Sequence, residues 1–139
     1  MQVTEYGPPI SLAAAKKVLE AAEAEAAANK WPVVIAVVDS TGHLVALHRM
    51  DHAQFGSIEV AQAKALTAVN FKRPTKAFAD TVAEGGTGMR LLARENFCPL
   101  EGGVLILDGG KIVGAIGVSG VQSTQDGQIA TAGAQAIQG

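Results

Sequence analysis

Val33-Val34-Ile35-Ala36-Val37-Val38, then Asp39-Ser40-Thr41-Gly42, then His43 to Met50 (HLVALHRM), is the stretch that decides the fold. An unbroken apolar run of strand length, with no polar alternation, reads as a strand buried on both faces. Asp, Ser, Thr and Gly supply turn chemistry. The chain therefore returns from His43 to Met50 as a second strand, and the two form a β-hairpin.

Working outward, Leu12, Ala15, Leu19, Ala22 and Ala26 recur at three- and four-residue steps while Lys16, Glu20 and Glu23 fall elsewhere. This predicts an amphipathic helix from about Ile10 to Asn29, with Ser11 as N-cap. Asn29, Trp31 and Pro32 end it. Beyond the hairpin, Gly56-Ser57 opens a long helix that reaches Phe71 and is broken by Arg73-Pro74-Thr75, and a third helix follows from Thr75 to Ala83. Gly85, Gly86 and Gly88 mark a loop, and Met89 to Glu95 a short helical piece. After Gly102-Gly103 comes a second hairpin, Val104 to Leu107, the turn Asp108-Gly109-Gly110, and Lys111 to Val118. Ser123 to Ile137 closes the chain as a helix with Ile129, Ala130, Gly133 and Ile137 on one face. The order αββααββα predicts an α+β fold, two β-hairpins joined into one antiparallel sheet with flanking helices.

The 139 residues suit one core, so residues 1–139 read as a single domain. Hydrophobic residues at 48% against 17% charged residues predict a packed globule. A net charge of −2 gives no basic footprint for nucleic acid. No apolar stretch approaches the roughly 20 residues of a membrane span, so no membrane partner is expected. Met1 to Pro9 lacks the basic and apolar segments of a signal peptide. The lone Cys98 excludes an internal disulfide and fits a reducing, cytoplasmic setting.

Chemistry concentrates around the second helix. At roughly 100° per residue, Ser57, Ala61, Lys64, Ala68 and Phe71 share one face, so Lys64 stands within an apolar stripe. An inward lysine is costly unless it is paired or faces a cavity; the blander readings are a snorkelling amine or an internal ion pair. Along the second strand, Val45, Leu47 and Arg49 share a face, and His48 lies on the other. Arg49 and Asp51 are then placed to meet Lys64 near the strand end. Two cations beside one carboxylate suit an anionic small-molecule ligand, the alternative being a plain salt bridge of Asp51 with Arg49 or Lys64. Glu101-Gly102-Gly103 offers a backbone that a ligand can approach closely. Asp126, three residues after Ser123, reads as a capping-box partner. Neither GxGxxG nor a P-loop lysine is present, so nucleotide binding is not expected.

His43 and His48 are an odd number of residues apart, hence on opposite faces, and Cys98 has no neighbour at metal-ligand spacing. No structural zinc site is expected. A haem iron needs only one axial His or Cys, which leaves His48 and His52 as candidates.

Several segments together resemble the GlcG/HbpS-like family (haem-degrading, PduO C-terminal-like domains). They are Trp31 to Asp39 (WPVVIAVVD), Gly42 to Ala46, Arg49-Met50-Asp51, Lys64-Ala65 with Thr67-Ala68, and Arg73-Pro74-Thr75. Leu100 to Val104, Val113 to Gly120 (VGAIGVSG), Gln125-Asp126 and Ala130 complete the set, in order along the chain. The resemblance implies a profilin-like sandwich that assembles into homo-oligomers, in a family linked to haem or corrinoid binding and to catabolic gene clusters. The family's motif positions carried over are Arg49, Asp51, Lys64, Glu101, Gly102, Gly103 and Asp126. His52 departs from the small or acidic residue usual at its place, and Leu105 from a frequent proline.

Two functional readings follow. In the first, the protein binds haem, another tetrapyrrole or a small organic anion in a pocket lined by Arg49, Asp51, Ser57, Lys64, Glu101, Gly102 and Gly103. In the second, it is an acid–base enzyme on a small hydroxy- or keto-acid, with Lys64 or Glu101 moving a proton and Arg49 holding the carboxylate. A third, structural reading takes Leu66, which points away from the core, as an oligomer contact.

Overall fold

Ser11 caps the first helix as its spacing predicts: its hydroxyl accepts the Ala14 N–H at 3.1 Å, and α1 runs Leu12–Ala28. The structure, a computed structural model, describes residues 4–137; positions 1–3 and 138–139 of the expected single domain lie outside the described residues. The apolar run becomes β1 (Val34–Asp39), and the chain returns as β2 (Leu44–Arg49). Next come α2 (Ser57–Phe71), α3 (Thr75–Ala83) and a 3-10 helix, Gly86–Ala93. The second hairpin is β3 (Gly103–Asp108) and β4 (Lys111–Ser119), and α4 (Ser123–Gln135) ends the fold.

The four strands form one antiparallel sheet in the order β2-β1-β4-β3, the two hairpins joining through β1 and β4. Both central strands are buried almost throughout. Alternation along β1 sorts its side chains: Val33, Ile35 and Val37 join Leu19, Ile116 and Ile129 under α1 and α4, while Val34 and Ala36 pack with Ala61 of α2. Each fully buried Val, Leu or Ile contributes about 1.5–3 kcal/mol. On the second face, α2 lies over β4, β1 and β3. It can approach so closely because Gly117 has no side chain: a Cβ there would collide with the Ala61 carbonyl oxygen and sit 2.6 Å from the Ala65 nitrogen.

Two sequence expectations shift. The short helical piece expected at Met89–Glu95 is the 3-10 helix Gly86–Ala93, which begins inside the expected glycine loop. Gly85 turns the chain at φ 75°, and Gly88, lacking a side chain, packs directly on Thr81. The α4 N-terminus also differs. Gln122 rather than Ser123 is the N-cap, and Gln125 accepts the Gln122 N–H at 3.2 Å. Asp126 is thereby free of the capping role its spacing suggested.

Candidate functional site

β2 ends at Arg49, and the following turn, with His52 in the left-handed region at φ 70°, swings the chain across toward α2. At the same end of the sheet, α1 stops at Ala28 and Lys30 turns at φ 61°, leading through Trp31 and Pro32 into β1. The two chain reversals border an open cleft of about 510 Å³. Trp31, Pro32, Ala27 and Met50 give it apolar wall; Glu23, Lys30, Arg49, Asp51 and His52 supply polar groups. Among the described residues neither Arg49 nor Lys30 has a carboxylate within ion-pair distance. Free cations above apolar and aromatic wall suit a flat ligand that carries carboxylates.

Lys64 is not in this cleft. Its side chain is 2% exposed, and its ammonium donates to Asp126 Oδ2 at 3.0 Å and to the Val118 carbonyl at 2.9 Å. The expected convergence of Arg49 and Lys64 on one hollow is therefore corrected. α2 sits above β4 rather than above β2, so Lys64 meets α4 while Arg49 stays at the sheet edge. The internal ion pair foreseen as an alternative is present, with a partner 62 residues away. Burial pushes the Asp126 carboxyl above its ordinary value, and the Lys64 ammonium and the backbone N–H groups of Val121 and Gly120 counter that only in part.

Ser57, Gly102 and Gly103 are likewise buried rather than open to the cleft. Ser57 is fully buried, and its hydroxyl accepts from Ser119 Oγ and from Gln54 Nε2, each at 3.0 Å. Gly102, at φ 135°, lies against Lys64: a Cβ there would stand 2.8 Å from Nζ. Gly103 packs on the Lys64 backbone, and its N–H donates to the Thr75 hydroxyl at 2.8 Å. These glycines thus admit protein rather than ligand. Glu101 faces Gly127 and lines a separate hollow with Glu25, Thr124 and Gln128. The structure therefore does not assemble a proton-transferring Lys64 or Glu101 beside an acid held by Arg49, because Lys64 is closed in against Asp126, Glu101 lines another hollow and Arg49 lines the cleft. Burial also raises the Cys98 thiol, opposed by Lys64.

The two histidines separate as well. His48 projects toward α1, where its Nδ1 lies 2.9 Å from Glu23 Oε1. His52 lines the cleft, and Glu23 links His48 to the same wall. No group of three or more metal-ligating side chains occurs among the described residues.

Sequence reasoning missed Glu23, Lys30 and Trp31 as cleft residues, since they read only as a helix face and a helix stop. The spacing from Ser123 points to a cap at Asp126, and only its three-dimensional pairing with Lys64 reveals its role. No helix among the described residues is long and apolar enough to cross a membrane.

Comparison with known proteins agrees with this architecture. The family model described as "Haem degrading protein HbpS-like" matches residues 10–135. Protein GlcG of Escherichia coli strain K12 is 40% identical over 105 residues, covering 76% of this chain and 77% of GlcG. Among solved structures, a Streptomyces reticuli HbpS double mutant superposes with TM-score 0.85 at 32% identity, over 100% of this chain and 91% of that one. A PduOC:heme complex superposes with TM-score 0.84 at 30% identity, over 93% and 95%. The chain belongs to the HbpS-like family, which includes GlcG-like proteins.

Proposed function

We propose that the protein binds haem, or a tetrapyrrole of similar shape and charge, in the cleft at the end of β2. One observation carries this reading: Arg49 and Lys30, both without ion-pair partners among the described residues, stand with His52 around the apolar surface of Trp31 and Met50. The donor set fits the group. Arg49 and Lys30 would hold the propionates, the His52 imidazole would supply a nitrogen donor to the iron, and Trp31 and Met50 would offer apolar contact. His48 has its Nδ1 engaged with Glu23. The solved PduOC:heme complex, similar over almost the whole chain, supports the ligand class.

Lys64 takes a structural place in this reading, joining α2 to α4. We place the protein in the cytoplasm, consistent with a buried free thiol at Cys98, and as a homo-oligomer. Titration with hemin should shift the Soret band and saturate near one hemin per chain. His52→Ala should displace the Soret maximum, and Arg49→Ala should weaken binding by about 1.5–3 kcal/mol, the worth of a charge-assisted hydrogen bond. A wild-type spectrum indistinguishable from free hemin would overturn the proposal.

A further inference from the structure

Four non-glycine residues among the described ones have positive φ, and two of them, Lys30 and His52, line the cleft. At φ 70°, His52 occupies a backbone region that a residue with a Cβ seldom enters. Such a conformation persists where the surrounding contacts over-determine it, and it concentrates at ligand clamps. What holds the turn around His52 therefore bears on what the cleft presents.

The turn is fastened at both ends. On the β2 side, the Met50 N–H donates to the Val33 carbonyl at 3.0 Å, and the Ala53 N–H to the Met50 carbonyl at 3.2 Å. Ala53 is itself buried with Val34, Ala36 and Ala61. On the α2 side, the Ser57 N–H donates to the Gln54 carbonyl at 3.1 Å, and the Gln54 amide returns to the Ser57 hydroxyl at 3.0 Å. That fully buried hydroxyl also accepts from Ser119 Oγ at 3.0 Å, across 62 residues of chain. It is not spent on the helix end, since Gly56 is the N-cap of α2. Ser119 ends β4, and the next residue, Gly120, lies against the other wall: a Cβ there would stand 2.6 Å from the Pro32 carbonyl oxygen. Both walls of the cleft thus rest on one strand end.

We propose that Ser57 is a positioning residue, whose hydroxyl, by holding Gln54 and Ser119 together, fixes the turn that presents the His52 imidazole to the cleft. The inference rests on the haem reading above and adds the group that preorganises its nitrogen donor. Without the clasp, the left-handed turn is free to relax, and the imidazole is no longer confined to the cleft. Arg49 within β2 and Trp31 before β1 are fixed by other contacts and keep their places.

Two porphyrins test this on the full chain. Hemin reads the His52 contact with iron, whereas metal-free protoporphyrin IX has the same ring and propionates and reads only the rest of the cleft. Ser57→Ala should weaken hemin binding about tenfold or more, the usual cost of losing a group that orients a metal ligand, and leave protoporphyrin IX binding unchanged. On a His52→Ala background, Ser57→Ala should cause no further loss for hemin, because the two residues act as one unit. Gln54→Ala should repeat the pattern with a smaller loss, and it serves if circular dichroism shows Ser57→Ala unfolded. In the ligand-free protein, amide hydrogen exchange from Asp51 to Gln54 should be faster in both variants. Equal losses for the two porphyrins, unchanged hemin affinity in the folded variants, or a full hemin loss on the His52→Ala background overturns the positioning role and leaves the cleft reading standing. A wild type that binds neither porphyrin overturns the haem reading and this inference with it.

Discussion

With its side chain 2% exposed and its ammonium on Asp126, Lys64 behaves as one half of a buried ion pair rather than as a free base. Removing one partner of such a pair strands the other charge in the core. Lys64→Met and Asp126→Asn should each lower unfolding free energy in urea by about 3–5 kcal/mol. The double variant Lys64→Met/Asp126→Leu should recover most of that loss, since an apolar pair of similar volume is often neutral or better. A double-variant loss equal to the sum of the two single losses would mean that the charges act independently. The sequence announced this residue in part: a lysine in the middle of an apolar stripe had to be inside or reaching out. Its partner was hidden, because the three-residue spacing of Ser123 and Asp126 has a local explanation that the fold does not use. Arg49 and Asp51 were legible as a pair at a strand end, whereas their neighbours Lys30 and Trp31 were not.

At the scale of elements, the β1–β2 turn carries its own pH dependence. Desolvation raises the Asp39 carboxyl, but hydrogen bonds from the Thr41 hydroxyl at 2.6 Å, the Thr41 N–H at 2.8 Å and the His43 N–H at 3.3 Å together outweigh it. The group therefore ionises below its ordinary 3.8 in the folded chain. Its contribution to stability is fully present above that ordinary value and is lost as pH falls through the lowered one. Denaturation curves across the acid range should show that decline shrink in Asp39→Asn. The α2–β4 contact is more brittle. Gly117→Ala places a methyl group against the Ala61 carbonyl, and overpacking of this kind costs about 1–3 kcal/mol or more. A thermal midpoint equal to that of the wild type would contradict the close approach. Elements were the most legible level of the sequence, since the apolar run of β1, the Ser11 cap and the Pro74 break are local signals. The glycine-rich segment before β3 was less so, because its path depends on Thr81 and on other residues distant in sequence.

On the scale of the whole molecule, strand order separates the two polar centres that the sequence placed together. α2 covers the middle of the sheet and seals Lys64 against α4, so Arg49, on the outer strand, faces the end of α1. Hairpin pairing was readable, but which hairpin lies beneath α2 was not, since Gly117 makes that choice through packing and not through a turn signal. The central claim is that ligand enters the cleft of Trp31, Arg49 and His52. Two-dimensional amide NMR with diamagnetic zinc protoporphyrin tests it most directly. The account predicts shifts in the Trp31 indole N–H and in the amides from Arg49 to His52. Shifts confined to Gly42, Gln62 and Leu66, or to Glu101 and Gly127, or none at saturating ligand, would contradict it.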